Sequence, residues 1–298
     1  MGTENINFGE ILHSLRVYKG IEIKELAQGV CSEEDLIEIE KNKKYPALDQ
    51  IYSLAEKLNV EVSDFFDFAS AGSVNYVSAV FDLIEKYKRD RNYSAIHDIV
   101  IREKENPIFS HPSSKQFLLW HEAISEYYLE ESGNREKNKV VKKLYDAIEM
   151  TNPSRKGFTE REIEILTSIA IIEKDDSNYN EAITLFKEAL EDMDVLPSME
   201  NPRVRLRALF GLSQALSGRD KFEESLIYSQ KGISQCINDE IMYLFGEFFY
   251  QTGLNYINLG KTKEGKEFLN KSLQTFELQN NIKFVNLIRL EMEKVVLL

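Results

Sequence analysis

Asn178-Tyr179-Asn180-Glu181-Ala182-Ile183, continued by Leu185, Phe186, Ala189 and Leu190, places apolar residues at i, i+3, i+4, i+7 and i+8 from Ala182. That spacing is one buried face of an α-helix. Small side chains at 182 and 189 let a neighbouring helix come close, and Phe186 fills the space between them. The stretch from about Glu162 to Lys174 supplies that neighbour. The arrangement returns as Lys221-Phe222-Glu223-Glu224-Ser225-Leu226, and again as Gly260-Lys261-Thr262-Lys263-Glu264-Gly265 with Leu269 and Ser272 downstream. Two weaker copies lie upstream: Asn92-Tyr93-Ser94-Ala95-Ile96, and a helix from about Lys137 carrying Val140, Leu144 and Ala147. With Ile96, Val140, Ala182, Ser225 and Gly265 taken as equivalent, the copies follow one another at about 40 to 44 residues. An amphipathic helix from Ile282 to Leu298 has no partner in sequence and is expected to cap the last pair.

The alternation of small and aromatic residues resembles the second helix of a tetratricopeptide unit. Thr252-Gly253 and Tyr256 match the Leu-Gly-x-x-Tyr core of its first helix, and Gly260 suits the turn between the two. The consensus period is about 34 residues, so the helices or loops here are expected to be longer. The expected fold is all-α: from residue 71 onward, a right-handed superhelical tetratricopeptide-like solenoid of five helix pairs plus a capping helix. In such arrays the first helix of each pair faces a concave groove. The consensus phase turns Glu164, Thr167 and Ile171 inward, then Arg207, Phe210 and Gln214, then Glu247, Tyr250, Gln251, Leu254 and Asn258. Amides such as Gln214, Gln251, Asn255 and Asn258 donate and accept toward an extended peptide backbone, while Phe210, Tyr250 and Leu254 offer apolar pockets. Each is also compatible with an ordinary surface or packing role.

Before residue 71 the rhythm changes to short helices broken at Gly20, Gly29 and Pro46, with Phe8, Ile11, Leu12 and Leu15 as the inward stripe of the first. A separate domain over 1–70 is expected, joined to the repeats (71–298) through a linker at about 65–75. Leu26-Ala27, Val30, Leu36, Ile39, Glu40, Tyr45-Pro46, Ile51, Leu54, Ala55, Leu58 and Val60 resemble the Cro/repressor-type helix-turn-helix. That resemblance implies a recognition helix opening at Ser32, a good N-cap, with Ser32, Glu33, Glu34 and Glu38 toward base edges. Three acidic readers repel phosphate, and the domain holds 14 acidic and 7 basic residues. Arg16, Lys19 and Lys24 near the start of that helix, and Lys41, Lys43 and Lys44 after it, are the candidates for phosphate contact. Cys31 stands near the usual turn glycine and reads as a small buried turn residue in preference to a redox sensor.

Composition narrows the alternatives. A formal charge of -13 opposes general polyanion binding. Cys31 and Cys236 have no paired spacing, so neither a disulfide nor a zinc site is expected, and no cofactor is implied. His13, His97, His111 and His121 show no ligand spacing, and no phosphate-binding glycine loop, His-Glu-x-x-His or Gly-x-Ser-x-Gly occurs, so no enzyme is expected. No apolar run reaches the roughly 20 residues of a membrane helix, and MGTENINFGE lacks a signal peptide's basic and apolar regions, which points to the cytosol.

Taken together, Cys31 to Glu40 with Tyr45-Pro46, Phe117-Leu118-Leu119-Trp120, Phe222-Glu223-Glu224-Ser225-Leu226 and Tyr250-Gln251-Thr252-Gly253 resemble the PlcR-type peptide-sensing regulators of Gram-positive bacteria. The resemblance spans essentially the whole chain. It implies a cytoplasmic homodimer that binds operator DNA and a short re-imported signalling peptide. It draws attention to Gln251, and to Arg89 and Arg91 in the first repeat's turn as holders of a peptide carboxylate. The segment Phe65 to Asn75, with Phe66, Phe68 and Gly72, is then the expected hinge. A Rap-like alternative stays open, in which the acidic N-terminal domain binds a protein and not DNA.

Overall fold

The computed structural model describes residues 8–60, 62, 73–130, 136–199 and 201–296. The expected hinge therefore falls outside the described residues up to Gly72. Among the described residues the chain is all-helical, with fifteen α-helices, one 3-10 turn and no strand. By contact the chain divides into two units, residues 1–91 with 107–109 and residues 92–106 with 110–298.

In the first unit, α1 (Phe8–Lys19), α2 (Ile23–Ala27), α3 (Glu33–Glu40) and α4 (Leu48–Leu58) enclose one small core. Phe8, Ile11, Leu12, Leu26, Ala27, Leu36, Ile39, Leu54, Ala55 and Leu58 are its buried members, and Leu15 packs against it half-buried. Gly29, with φ +77°, supplies the left-handed residue between α2 and α3, so Cys31 is free to rest against the core beside it. The Ser32 hydroxyl accepts the Asp35 N–H at 3.0 Å and starts α3. Helix α5 (Ser73–Arg89) groups with this unit, as does the 107–109 turn, whose Phe109 ring meets Tyr76 edge-on at 6.2 Å.

The second unit is a solenoid. Its helices are α6 (Tyr93–Glu103), α7 (Pro112–Leu129), α8 (Lys137–Glu149), α9 (Glu160–Asp175), α10 (Tyr179–Val195), α11 (Pro202–Ser217), α12 (Phe222–Asn238), α13 (Phe245–Asn258), α14 (Thr262–Leu278) and α15 (Ile282–Val296). Each packs on the next, and α9 also touches α11 as α11 touches α13. Pro112 and Pro202 open their helices where a missing N–H costs nothing. A reciprocal cap opens α9: Thr159 Oγ1 accepts the Glu162 N–H, and Glu162 Oε2 accepts the Thr159 N–H at 2.8 Å.

One turn recurs through the chain. Ser177, Asp220, Gly260 and Asn280 all adopt positive φ two residues before the next helix begins, and Arg91 does the same before α6. The excess over the expected period lies partly in the helices, which reach 16 or 17 residues from α9 to α12, and partly in connections such as 104–111 and 150–159. Ala182, Phe186 and Ala189 are fully buried. Phe186 packs where Gly211 of α11 has no side chain, since a Cβ there would stand 2.2 Å from the ring. Trp120 on α7 is buried, and its indole N–H donates to Ser168 Oγ on α9 at 3.0 Å. Among the described residues no helix is long and apolar enough to cross a membrane.

Candidate functional site

The first helices α9, α11 and α13 share one face. On α9, positions 164, 167, 171 and 174 follow the three- and four-residue spacing that puts them on a single stripe. Glu164 lies 3.9 Å from the Arg207 guanidinium on α11, and Lys174 Nζ donates to Gln214 Oε1 at 2.9 Å one end further along. Arg207 Nε also donates to the Tyr243 hydroxyl at 3.4 Å, and Phe210 meets Phe248 of α13 edge-to-face at 5.4 Å. Charged, amide and aromatic groups therefore alternate across adjacent helices. Between the two polar straps sits Thr167, fully buried, whose hydroxyl has no hydrogen-bond partner among the described residues.

The expected residues take different positions on this face. Phe210, Gln214 and Leu254 are half-buried along it, and Asn258 is exposed at the end of α13. Tyr250 packs half-buried on the cluster of Leu269, Phe276, Val285 and Ile288. Burial, reinforced by the Glu291 charge, pushes its phenol above the usual tyrosine range. Gln251 retains 6% exposure.

Asn255 does not lie in the groove. One residue beyond Leu254 turns a side chain about 100° around the helix, away from the groove and onto α12. There Asn255 is fully buried and donates to Ser225 Oγ at 2.7 Å. Arg89 and Arg91 are exposed and belong to the first unit, Arg91 with φ +53° in the turn after α5.

Lys174 was missed by the consensus phase, which stops at Ile171, although it continues the same stripe by three residues. Arg161 and Arg203 were also missed: the first lies over the Phe117 ring at 5.4 Å and donates to the Ser113 carbonyl at 3.1 Å, the second lies over Tyr243 at 5.6 Å. No local motif marks either one, because Ser113 and Phe117 lie on α7 and Tyr243 in the turn before α13, all distant along the chain. Cys236 is buried, its thiol donates to the Tyr243 carbonyl at 3.4 Å, and burial pushes it up to about 12. That thiol is an inert packing group at neutral pH.

In the first unit Ser32, Glu33, Glu34 and Glu38 are exposed along α3, with the Ser32 hydroxyl occupied by its cap. A shallow depression is lined by Glu34, Asp35, Ile37, Glu38, Lys41 and Lys43. Lys44 pairs with Asp35 and, with the Ser32 hydrogen bond, holds that carboxyl below its usual range. Lys19, Lys24, Lys41 and Lys43 project into solvent.

Arg16 does not. Only 8% exposed, it directs its guanidinium to Glu40 and to the Ile21 carbonyl at 3.1 Å, and so is a strut of the core and not a phosphate contact. The cause is geometric: Arg16 falls one turn after Leu12 on the inward stripe of α1, opposite the buried end of α3.

The sequence profile of the RNPP family C-terminal domain matches residues 81–297. No curated protein matches the chain's sequence. Among solved structures, the chain resembles Bacillus thuringiensis PlcR in complex with the peptide PapR7 and DNA, at 21% identity and a TM-score of 0.79, over 97% of this chain and 99% of that one. Streptococcus dysgalactiae Rgg2, an SHP pheromone receptor, is similar at 18% identity and 0.63, over 96% and 99%. ComR from S. thermophilus, solved with DNA and its signalling peptide ComS, is similar at 12% identity and 0.65, over 97% and 99%.

Proposed function

This chain belongs to the RNPP family, and on that premise we propose that it is a transcription regulator binding a short signalling peptide in the solenoid groove and operator DNA through α2 and α3. The observation that carries the reading is the stripe across α9, α11 and α13, where Glu164, Arg207, Phe210 and Gln214 combine hydrogen-bonding groups with apolar surface and Gln251, 6% exposed, stands at the edge. An extended peptide needs both, the first for its backbone and the second for alternate side chains. PlcR and ComR, each solved with a peptide and DNA, support the same pairing of ligands.

The ligand is a short, largely apolar peptide recognised through its backbone and its C-terminal end. On the DNA side, Lys19, Lys24, Lys41 and Lys43 contact phosphates, and Ser32, Glu33, Glu34 and Glu38 border the bases, a glutamate accepting from cytosine N4. The working form is a cytoplasmic homodimer. Its DNA-binding domain covers 1–70, and the segment at 65–75 acts as the hinge between that domain and the repeats over 71–298.

The test is retention of fragmented genomic DNA from the host on the purified chain, with and without peptide, across a salt series. Salt-sensitive retention of particular fragments, altered by peptide, is the expected result. No retention at any salt would end the DNA reading. The exposed Glu33, Glu34 and Glu38 favour one second reading, a Rap-like module whose acidic face binds a basic protein surface, and peptide binding without DNA retention would select it.

A further inference from the structure

We infer that Gln251 offers the ligand a hydrogen-bond acceptor of fixed direction, and that Asn255 and Ser225 are the positioning residues that hold it so; this rests on the peptide-groove reading above. The direction is set at the buried end of a chain of four groups. Ser213 contributes its backbone carbonyl, which only accepts. Ser225 Oγ stands 2.6 Å from that oxygen, so the single hydroxyl proton is committed there. Toward Asn255, Ser225 Oγ is then an acceptor, and the group facing it at 2.7 Å is the Asn255 NH2.

That orientation leaves Asn255 Oδ1 facing Gln251, whose Nε2 donates to it at 3.2 Å. Gln251 consequently points its own carbonyl oxygen the other way. Among the described residues that oxygen has no hydrogen-bond partner, and it is not one of the buried polar atoms sealed from solvent.

The relay crosses three helices, from Ser213 on α11 through Ser225 on α12 to Asn255 and Gln251 on α13. Ser213, Ser225 and Asn255 are fully buried. A second bond, Thr252 Oγ1 to Ser229 Oγ at 2.9 Å, ties α13 to α12 beside it. Rotating the Gln251 amide would set its oxygen against Asn255 Oδ1, acceptor against acceptor, so the relay opposes it. The ligand group that matches Gln251 is an N–H donor, such as one backbone amide of an extended peptide. A ligand carbonyl placed there would face another oxygen.

The test uses a heptapeptide display library selected on the full-length chain, with the tightest binder resynthesised with each backbone N–H methylated in turn. One methylation is expected to weaken binding by about tenfold or more in the unaltered protein. In Gln251→Ala that same methylation is expected to change Kd by less than about twofold. Ser225→Ala and Asn255→Leu are expected to shrink the methylation ratio to below about threefold while melting cooperatively. A merely structural role would weaken both peptides alike and leave the ratio where it was. Ser225→Ala changes the least volume and keeps the test decisive if Asn255→Leu does not fold.

An undiminished ratio in Gln251→Ala puts the acceptor on another residue and overturns the inference. An undiminished ratio in both relay variants, with Gln251→Ala sensitive, removes the positioning role of Asn255 and Ser225. A library that returns no binder overturns the groove reading itself, an outcome distinct from either.

Discussion

Arg16 holds Glu40 through two hydrogen bonds, Nε to Oε1 at 2.6 Å and Nη2 to Oε2 at 3.0 Å, and so ties the end of α1 to the end of α3. The His13 ring adds a third contact, Nδ1 to Oε2 at 2.8 Å. Removing one member of a buried pair strands the other's charge, at a cost of roughly 3–5 kcal/mol. Glu40→Ala is expected to destabilise the first unit by that order in urea unfolding followed by amide exchange. A loss below about 1 kcal/mol would mean the pair is solvated despite its burial.

The same pair sets an acid limit. Burial drives the Glu40 carboxyl upward, but the hydrogen bonds from Arg16 and His13 and their charges outweigh it, and the net position is below the ordinary 4.5. A carboxylate depressed on folding contributes stability above its unfolded pKa and loses it as pH falls through the folded value. The melting-temperature gap between the unaltered protein and Glu40→Gln is therefore expected to hold steady from pH 8 to about 5 and to narrow below about 4.5. A gap constant down to pH 3 would show that ionisation of Glu40 is not its source.

Close helix approach in the solenoid depends on Gly211. A Cβ at that position would lie 2.2 Å from the Phe186 ring, which is fully buried and cannot swing away. Gly211→Ala is expected to cost about 1–3 kcal/mol by overpacking, measured by urea unfolding. Pairing it with Phe186→Leu should recover part of that loss, and a double variant no better than the sum of the two would contradict the contact.

On the DNA side, Lys41→Ala and Lys43→Ala are expected to weaken binding to all sequences about equally, each lowering the slope of log affinity against log salt by about 1. Glu38→Gln is expected to raise affinity by removing a repelling charge. Fluorescence anisotropy on a retained fragment across a salt series checks both, and unchanged slopes would place the phosphate contacts elsewhere.

The helices were legible because each buried stripe is written locally, in positions such as Ala182, Phe186 and Ala189 that lie within one helix. Turn geometry was legible at the glycines Gly20, Gly29 and Gly260. Ser177, Asp220 and Asn280 adopt the same left-handed backbone with side chains that do not demand it, so their residue type carries little signal. Arg16 read as a surface cation because its partner stands 24 positions away, and nothing within α1 distinguishes a buried arginine from a solvated one. Asn255 was misplaced by a single step of helical phase. Of the groove, the face was readable and the pairings Glu164–Arg207 and Lys174–Gln214 were not, since those depend on how α9 and α11 align.

A peptide on the face shared by α9, α11 and α13 would shield those three helices from solvent. Amide hydrogen exchange of the full-length chain, with and without the library-selected heptapeptide, tests that occupancy most directly. Protection is expected to concentrate in residues 160–175, 202–217 and 245–258, the spans of those three helices. Protection confined to the second helices over 179–195, 222–238 and 262–278, or absent from the solenoid altogether, would contradict it.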